Sequence, residues 1–192
     1  MGKFSFTPGR IEGLVIVEPA RWDDARGYFM ESYSRRDYAA AGIGYEFVQD
    51  NQSLSRRGVL RGLHYQRTRP QGKLVRVVHG SVLDVAVDLQ RSSPTFGQWQ
   101  SVLLSADNRR QFWIPAGFAH GFLALEDDSV LAYKCTEYYM PELDAGIAWN
   151  DPQVAIDWDL EKVGLGIDKL IISDKDRALP TVGRAVQTDF EW

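Results

Sequence analysis

The amino-acid sequence predicts a single all-β domain, and three observations support this prediction. Short runs rich in Val, Leu, Phe and Tyr recur between turn residues, as β-strands do. Only one early segment has the composition of a helix. The chain has 17 glycines and 12% aromatic residues, which favours a turn-rich β protein. Because no repeat, low-complexity tract or linker interrupts it, we assign residues 1–192 to one domain.

Seven segments are predicted to be strands, each bounded by Gly, Pro, Asp or Ser. They are Leu14–Val17, Gly27–Tyr33, Tyr45–Gln49, Lys73–His79, Ser81–Asp88, Gln98–Ser105 and Ser129–Thr136. Many short strands with few helices favour a β-sandwich, a jelly roll or a small barrel. Periodicity alone does not choose among the three.

The helical prediction concerns the segment after Ser34. Ser34 can cap the helix, the alanines at 39–41 favour it, and Gly42 can end it. Further along the chain, Leu160–Val163 is predicted to form a helical turn.

The predicted strand Ser81–Asp88 shows how a site could be built. Three aliphatic residues share one face, while Asp84 and Asp88 lie on the other. Inside a jelly roll, such a half-polar face would line a ligand cavity. For Asp84 a cavity and solvent are equally consistent with the pattern, and for Asp88 solvent is favoured.

Composition and charge exclude several classes of function. The net charge of −4 argues against binding nucleic acid or an anionic membrane in bulk. A single cysteine, Cys135, allows no internal disulfide. The first residues lack an apolar signal core, and no apolar run approaches the roughly 20 residues that span a bilayer. We therefore expect a cytoplasmic protein.

Three histidines are the first candidates for chemistry. An imidazole titrates near neutrality, so His64 can act as a base, and Arg61 is a permanent cation suited to phosphate. Residues three apart face opposite ways on a regular strand, so a bulge at Gly62 would bring both to one ligand. Taken alone, the two also fit a buried structural histidine beside a surface arginine. His120 alone fits a hydrogen-bonded core histidine, and His79 fits a turn residue without a role.

Other kinds of site have weaker support. Tyr133 could donate a proton and Lys73 could stabilise an enolate, although a half-buried strand tyrosine and a solvated lysine are the ordinary cases. The chain has no His-x-His pair, and a metal site made by His64, His120 and Asp84 is disfavoured. It has no Gly-x-Ser-x-Gly elbow, Gly-x-Gly-x-x-Gly loop or Walker loop. We interpret Cys135 as a buried apolar residue that fills space in the core.

A long ordered set of motifs is more specific than any of these residues. The motifs are DARGYFMES at 24–32, FVQDN at 47–51, VLRGLHYQ at 59–66, QGKLVR at 71–76, DVAVD at 84–88, SPTFG at 93–97, WIPAGFAHGF at 113–122, YK at 133–134, GIAWNDP at 146–152 and SDKD at 173–176. In this order they resemble the dTDP-4-dehydrorhamnose 3,5-epimerase family, from about residue 12 to residue 180.

The resemblance implies a fold, partners and a reaction. The fold would be a cupin-type jelly roll with a few short helices, assembled as a homodimer with no metal or other cofactor. The reaction would invert C3 and C5 of a 4-keto-6-deoxyhexose carried on dTDP, in dTDP-L-rhamnose biosynthesis. By this resemblance His64 is the base and Asp176 its partner, Tyr133 is the acid, and Lys73 stabilises the enolate oxygen.

The resemblance also implies a set of substrate-binding residues. These are Arg26, Glu31, Gln49, Asn51, Arg61, Lys175 and, lining the sugar pocket, His120. Tyr139 would stack on the base or pack beside the site. Asp144 stands where the family commonly has glutamate, so a contact from its shorter side chain is in doubt. Arg26 and Glu31 are expected to act across the dimer interface.

Three alternatives stay open at this point. An epimerase that inverts only C3 or only C5 would share the same base and much of the pocket. A non-catalytic sugar-nucleotide-binding cupin would bind without exchanging the protons on C3 and C5. A metal-dependent cupin would contain stoichiometric iron, zinc or manganese.

Overall fold

Two antiparallel β-sheets face each other and enclose the interior of the protein, as seen in a computed structural model that describes residues 2–185. The fold is a cupin-type jelly roll, as expected. Residue 1 and residues 186–192 of the predicted domain lie outside the described residues. The strands in chain order are β1 (Phe4–Pro8), β2 (Val15–Pro19), β3 (Trp22–Asp24), β4 (Gly27–Phe29), β5 (Gln49–Ser55), β6 (Leu60–Gln66), β7 (Lys73–His79), β8 (Ser81–Asp88), β9 (Trp99–Ser105), β10 (Gln111–Ile114), β11 (Phe118–Ala124), β12 (Ser129–Cys135) and β13 (Asp144–Gly146).

The strands form two large sheets and one small hairpin. The six-stranded sheet has the order β1-β2-β10-β7-β12-β5, and the five-stranded sheet has the order β13-β6-β11-β8-β9. Within residues 2–185, strands β3 and β4 pair only with each other. The hairpin that they form is exposed along its whole length.

The helices are few and short. They are α1 (Arg35–Ala40), α2 (Asp174–Arg177) and α3 (Val182–Ala185), with 3-10 helices at Pro141–Leu143 and Ile167–Lys169. The predicted first helix is confirmed: Ser34 Oγ accepts from the Asp37 amide at its start, and Gly42 follows its end with a φ of +88°. The segment at 160–164 forms a hydrogen-bonded turn. None of the helices within residues 2–185 is long and apolar enough to cross a membrane.

Strand β8 shows how the two sheets divide the core. Val82 and Ala86 pack in the layer between the sheets. Leu83, Val85 and Val87 pack on the opposite side of the five-stranded sheet, under the segment that includes Ile147 and Trp158. Both faces of this strand are therefore covered, and Asp84 and Asp88 point into the interior.

The expectation that Asp88 faces solvent is wrong. Its exposed fraction is 1%, because its face of β8 turns toward the opposite sheet. The loop after β8 folds back so that the Ser93 and Thr95 hydroxyls and the Gln90 amide all donate to the Asp88 carboxylate. A buried charge needs such partners, and here they come from polar residues of the turn.

The predicted strand Tyr45–Gln49 is also wrong, since β5 begins where that prediction ends. Tyr45 and Phe47 instead pack on Trp113, with ring centroids 5.2 and 5.9 Å apart, on the outer face of the six-stranded sheet. Their apolar character serves this packing rather than a strand.

Candidate active site

A cavity of about 360 Å³ opens between the two sheets. His64 on β6 and His120 on β11 line its wall on the five-stranded sheet. Lys73 on β7 and Tyr133 on β12 line its wall on the six-stranded sheet. Four of the predicted site residues therefore lie in one place, two on each wall.

A bulge in β6 brings Arg61 and His64 to the same cavity. His120 pairs with His64 and Phe122 pairs with Arg61, so three steps along β6 match two along β11. Gly62 supplies the extra residue, with a φ of +115°. A Cβ at Gly62 would meet Gly121 Cα at 2.6 Å, so no larger residue fits there. The predicted bulge is confirmed.

His64 pairs with Asp176, as predicted. Its Nε2 lies 2.7 Å from Asp176 Oδ1, and the second carboxylate oxygen accepts from the Gly62 amide at 3.3 Å. Burial opposes ionisation of Asp176, but the hydrogen bond and charge of His64 and the Gly62 amide outweigh it and lower the pKa of this carboxyl. Because an ionised carboxylate only accepts, His64 donates Nε2–H, and Nδ1 remains as the basic nitrogen.

The opposite wall carries a phenol and an amine with opposite pKa shifts. Burial raises the pKa of Tyr133 to about 12, so its phenol keeps its proton at neutral pH. Burial lowers the pKa of Lys73, and the neighbouring Cys135, Asp144 and Asp84 oppose that shift. The phenol can therefore donate a proton, and the ammonium can stabilise a negative oxygen.

The other two histidines differ in their surroundings. His120 Nε2 lies 2.9 and 3.0 Å from the two carboxylate oxygens of Asp84, and both side chains are buried. His79 is exposed at the end of β7, where its Nδ1 contacts the Asp128 carbonyl oxygen at 3.0 Å. His79 does not line the cavity.

At one side of the cavity, five of the predicted binding residues are linked by contacts, and three of them, Tyr139, Asp144 and Lys175, line the cavity. The Tyr139 hydroxyl donates to Asp144 Oδ2 at 3.1 Å, and Lys175 forms an ion pair with the same oxygen. This ion pair raises the pKa of Lys175. The Tyr139 amide donates to Gln49 Oε1 at 2.8 Å, and Gln49 donates to Asn51 at 3.0 Å. Asp144 thus reaches Lys175 and Tyr139 despite its shorter side chain.

The remaining binding predictions divide into two groups. Arg61 lines the cavity and is held by Ser55 Oγ and the Leu54 carbonyl oxygen, each at 3.2 Å. Arg26 and Glu31 do not line it. Arg26 is at the turn of the exposed β3–β4 hairpin and pairs with Asp24, and Glu31 pairs with Lys3.

Sequence reasoning missed some residues that line the cavity. Gln66 and Gln71 lie there while holding backbone groups of the segment 137–140. Ser53 lines it from β5, and its buried hydroxyl has no hydrogen-bond partner within residues 2–185. Alternate residues of a strand lie on the same face, so the predicted binding residues Gln49 and Asn51 would have indicated Ser53 as the next residue on that face.

The arrangement defines a class of protein. Among residues 2–185, no three His, Cys, Asp or Glu side chains are grouped as a metal site requires. The cavity instead has a carboxylate-paired histidine on one wall and a protonated phenol with a buried lysine on the other. These groups define an isomerase of the cupin-type jelly-roll fold, which removes protons from carbon and returns them.

Comparison with known proteins agrees with this class. Residues 8–183 match the family model described as dTDP-4-dehydrorhamnose 3,5-epimerase. The enzyme of that name from Methanothermobacter thermautotrophicus is 55% identical, over 92% of this chain and 94% of the relative. A crystal structure from Legionella pneumophila Philadelphia 1, a dTDP-6-deoxy-D-glucose-3,5-epimerase in complex with dTDP-4-keto-L-rhamnose, superposes with a TM-score of 0.88. It is 50% identical and covers 94% of this chain and 93% of its own. The chain belongs to the dTDP-4-dehydrorhamnose 3,5-epimerase family.

A more distant structure has a narrower activity. It is a 3'-monoepimerase from Streptomyces bikiniensis in complex with dTDP-quinovose, and it is 34% identical with a TM-score of 0.85. It covers 94% of this chain and 89% of its own. The fold is therefore shared by enzymes that differ in the number of carbons they invert.

Proposed function

We propose that the chain inverts C3 and C5 of dTDP-4-keto-6-deoxy-D-glucose and forms dTDP-4-keto-L-rhamnose for dTDP-L-rhamnose biosynthesis. The observation that carries the proposal is the placement of His64 and Tyr133 on facing sheets around one cavity. A sugar ring between the sheets presents one face to the base and the other to the acid. Removing a proton from one face and returning one to the other inverts a carbon.

The first step removes a proton beside the ketone. The 4-ketone acidifies the hydrogens on both C3 and C5, because the electron pair left behind moves onto the ketone oxygen. His64 takes the proton on Nδ1, and Asp176 holds the ring and stabilises the imidazolium that forms. Lys73 supports the negative oxygen of the enolate from the other wall.

The second step returns a proton to the same carbon. Tyr133 donates its phenolic proton from the opposite face as the enolate collapses to the ketone. His64 then loses its proton to solvent and Tyr133 regains one from solvent, which completes the cycle. The same groups act at the second carbon after the ring shifts in the cavity.

The nucleotide part of the substrate needs cations and polar groups at the cavity. Arg61 and Lys175 lie there and suit the diphosphate. Gln49, Asn51, Asp144 and Tyr139 would complete the nucleotide site, and His120 would line the sugar pocket. The linked contacts among Gln49, Tyr139, Asp144 and Lys175 support this assignment.

Arg26 and Glu31 have a place in this scheme only if a second copy of the chain supplies them. We therefore propose a homodimer in which the β3–β4 hairpin reaches the partner's cavity. Trp22, Tyr28 and Phe29 support the proposal, since 48%, 57% and 66% of their surfaces are exposed on a hairpin that no third strand of the described residues joins. Exposed aromatic side chains of this size suit a protein interface.

The proposed reaction predicts exchange of two substrate protons with solvent. In deuterated water, proton NMR of dTDP-4-keto-6-deoxyglucose should show loss of both the C3 and C5 signals with the wild type. His64→Ala should lower both rates by about 10²–10⁴-fold, because it removes the base. The control is His79→Ala, which changes an exposed histidine outside the cavity and should exchange at the wild-type rate.

The same measurement separates the alternatives. Exchange at one carbon only, in the wild type, would identify a single-site epimerase. The Streptomyces bikiniensis structure, a 3'-monoepimerase, is an example of such an enzyme. Binding of the substrate without any exchange would instead show a sugar-nucleotide-binding cupin.

A further inference from the structure

The cavity contains a second histidine–carboxylate pair that the proposed base does not use. His64 and His120 are register partners on the adjacent strands β6 and β11, and both rings line the cavity. Each ring places Nε2 against a carboxylate, His64 against Asp176 and His120 against Asp84. The two pairs repeat one arrangement side by side on the same wall.

Asp84 cannot reach the substrate itself. Its side chain is fully buried on β8 and does not line the cavity, whereas His120 lies between it and the cavity. Both of its carboxylate oxygens lie within 3.0 Å of His120 Nε2. Any effect of Asp84 on the reaction therefore passes mainly through the His120 ring.

Burial of a carboxylate without compensation is costly, so this one must be supported. Burial raises the pKa of Asp84, and the charge and hydrogen bond of His120 and the charge of Lys73 oppose that rise. The two groups that support Asp84 both line the cavity, one on each wall. The Asp84 carboxyl is therefore placed behind two cavity groups that can meet the substrate's ketone oxygen.

The carboxylate also determines which nitrogen of His120 is free. Nε2–H donates to Asp84, which leaves Nδ1, and no group within residues 2–185 forms a hydrogen bond with Nδ1. We propose that Asp84 is a positioning residue that fixes the His120 ring and favours a proton on both ring nitrogens, so that Nδ1–H, with Lys73, donates to the substrate's ketone oxygen as it becomes negative. This inference rests on the proposed epimerase reaction.

The proposal makes a specific kinetic statement. Removing a proton from C3 and removing one from C5 both place negative charge on the same oxygen, that of the ketone at C4. A loss of stabilisation at this oxygen should therefore slow exchange at both carbons. A residue that contacts only one substituent of the ring would slow them unequally.

The test compares Asp84→Asn with Asp88→Asn. Both carboxylates are buried on the same face of β8, but the partners of Asp88 belong to the loop after that strand. Asp84→Asn should lower kcat by about 10–100-fold, with KM nearly unchanged and exchange slowed at both C3 and C5. Asp88→Asn should keep wild-type kcat. Equal losses in the two variants, or exchange slowed at one carbon only, would overturn the proposal.

A double-variant cycle tests whether Asp84 acts through His120. If it does, adding Asp84→Asn to His120→Gln should change kcat no further, whereas independent roles would give the product of the two losses.

Nitrogen-15 NMR of the histidine rings provides a second test, which needs neither substrate nor a stable variant. It should show a protonated Nε2 on His120 in the wild type, and an unprotonated Nε2 would refute the arrangement. Failure of the wild type to exchange C3 and C5 protons would count against the reaction and leave this ring assignment standing.

Discussion

At the scale of single residues, the cavity gives two neighbouring groups opposite pKa shifts for the same reason. Burial disfavours the charged form, which is the phenolate of Tyr133 and the ammonium of Lys73. Tyr133 therefore keeps its proton into the alkaline range, whereas Lys73 loses its proton at a lower pH than a free lysine. In the proposed reaction both groups act in their protonated forms, so we expect Lys73 to determine the upper pH limit of activity.

A pH profile of kcat/KM tests this assignment. The active form of Lys73 is protonated, so on the alkaline side activity declines as pH rises through the pKa of Lys73, which lies below the ordinary 10.5. In Lys73→Arg the charge is permanent over this range, so the alkaline decline should move to higher pH even though the rate falls. Lys134→Arg is the control, because Lys134 neighbours Tyr133 but pairs with Asp50 on the surface. The same alkaline decline in wild type and Lys73→Arg would assign it to another group.

The residues that sequence reasoning identified are those with distinctive chemistry. His64 is one of only three histidines in the sequence, and Lys73 is a lysine in a predicted strand, so each could be considered individually. Taken alone, however, each also has an ordinary structural interpretation. Their roles came from the resemblance, and the structure adds that His64 and Asp176, 112 positions apart, are in contact. The burial of Asp88 could not be read from its strand, because its partners Ser93 and Thr95 belong to a turn whose path the pattern does not give.

At the scale of elements, the accuracy of the strand predictions follows the chemistry of each strand. The apolar strands β7 and β8 begin and end where predicted. β5 was misplaced because it is a polar edge strand, and its Ser53 faces a cavity rather than a core. β11 was not predicted, because all its residues are buried and its sequence therefore lacks the alternation of apolar and polar residues that marks a half-exposed strand.

The bulge in β6 should be sensitive to a single methyl group. Gly62→Ala places a Cβ at a φ of +115° and within 2.6 Å of Gly121 Cα, so β6 and β11 must separate. We expect a loss of about 1–3 kcal/mol from the backbone conformation, with more from the contact, together with a large fall in kcat as His64 moves. Thermal unfolding and the proton-exchange assay measure the two effects.

Gly42→Ala provides the matched control for this change. Gly42 also has a positive φ, +88°, but a Cβ there meets nothing within 4 Å. This variant should lose some stability through its backbone conformation and keep wild-type activity. If Gly62→Ala behaves like Gly42→Ala in both measurements, the bulge is not what positions His64.

At the scale of the whole molecule, the site exists because two sheets face each other. Composition and strand spacing predicted an all-β domain but left a sandwich, a jelly roll and a barrel equally open. The resemblance indicated the jelly roll. The structure shows that the proposed base, His64, and the proposed acid, Tyr133, come from different sheets. A cytoplasmic location stays a prediction.

The proposed dimer can be tested by mixing two defective chains. If the β3–β4 hairpin crosses to the partner, a heterodimer of His64→Ala and Arg26→Ala contains one site with an intact His64 and an intact Arg26. Its activity should rise toward half that of the wild type, measured on heterodimers isolated with two different affinity tags. His64→Ala mixed with Lys73→Ala should recover nothing, because both side chains line the same cavity of their own chain. No recovery with Arg26→Ala would place Arg26 at its own chain's site or outside catalysis altogether.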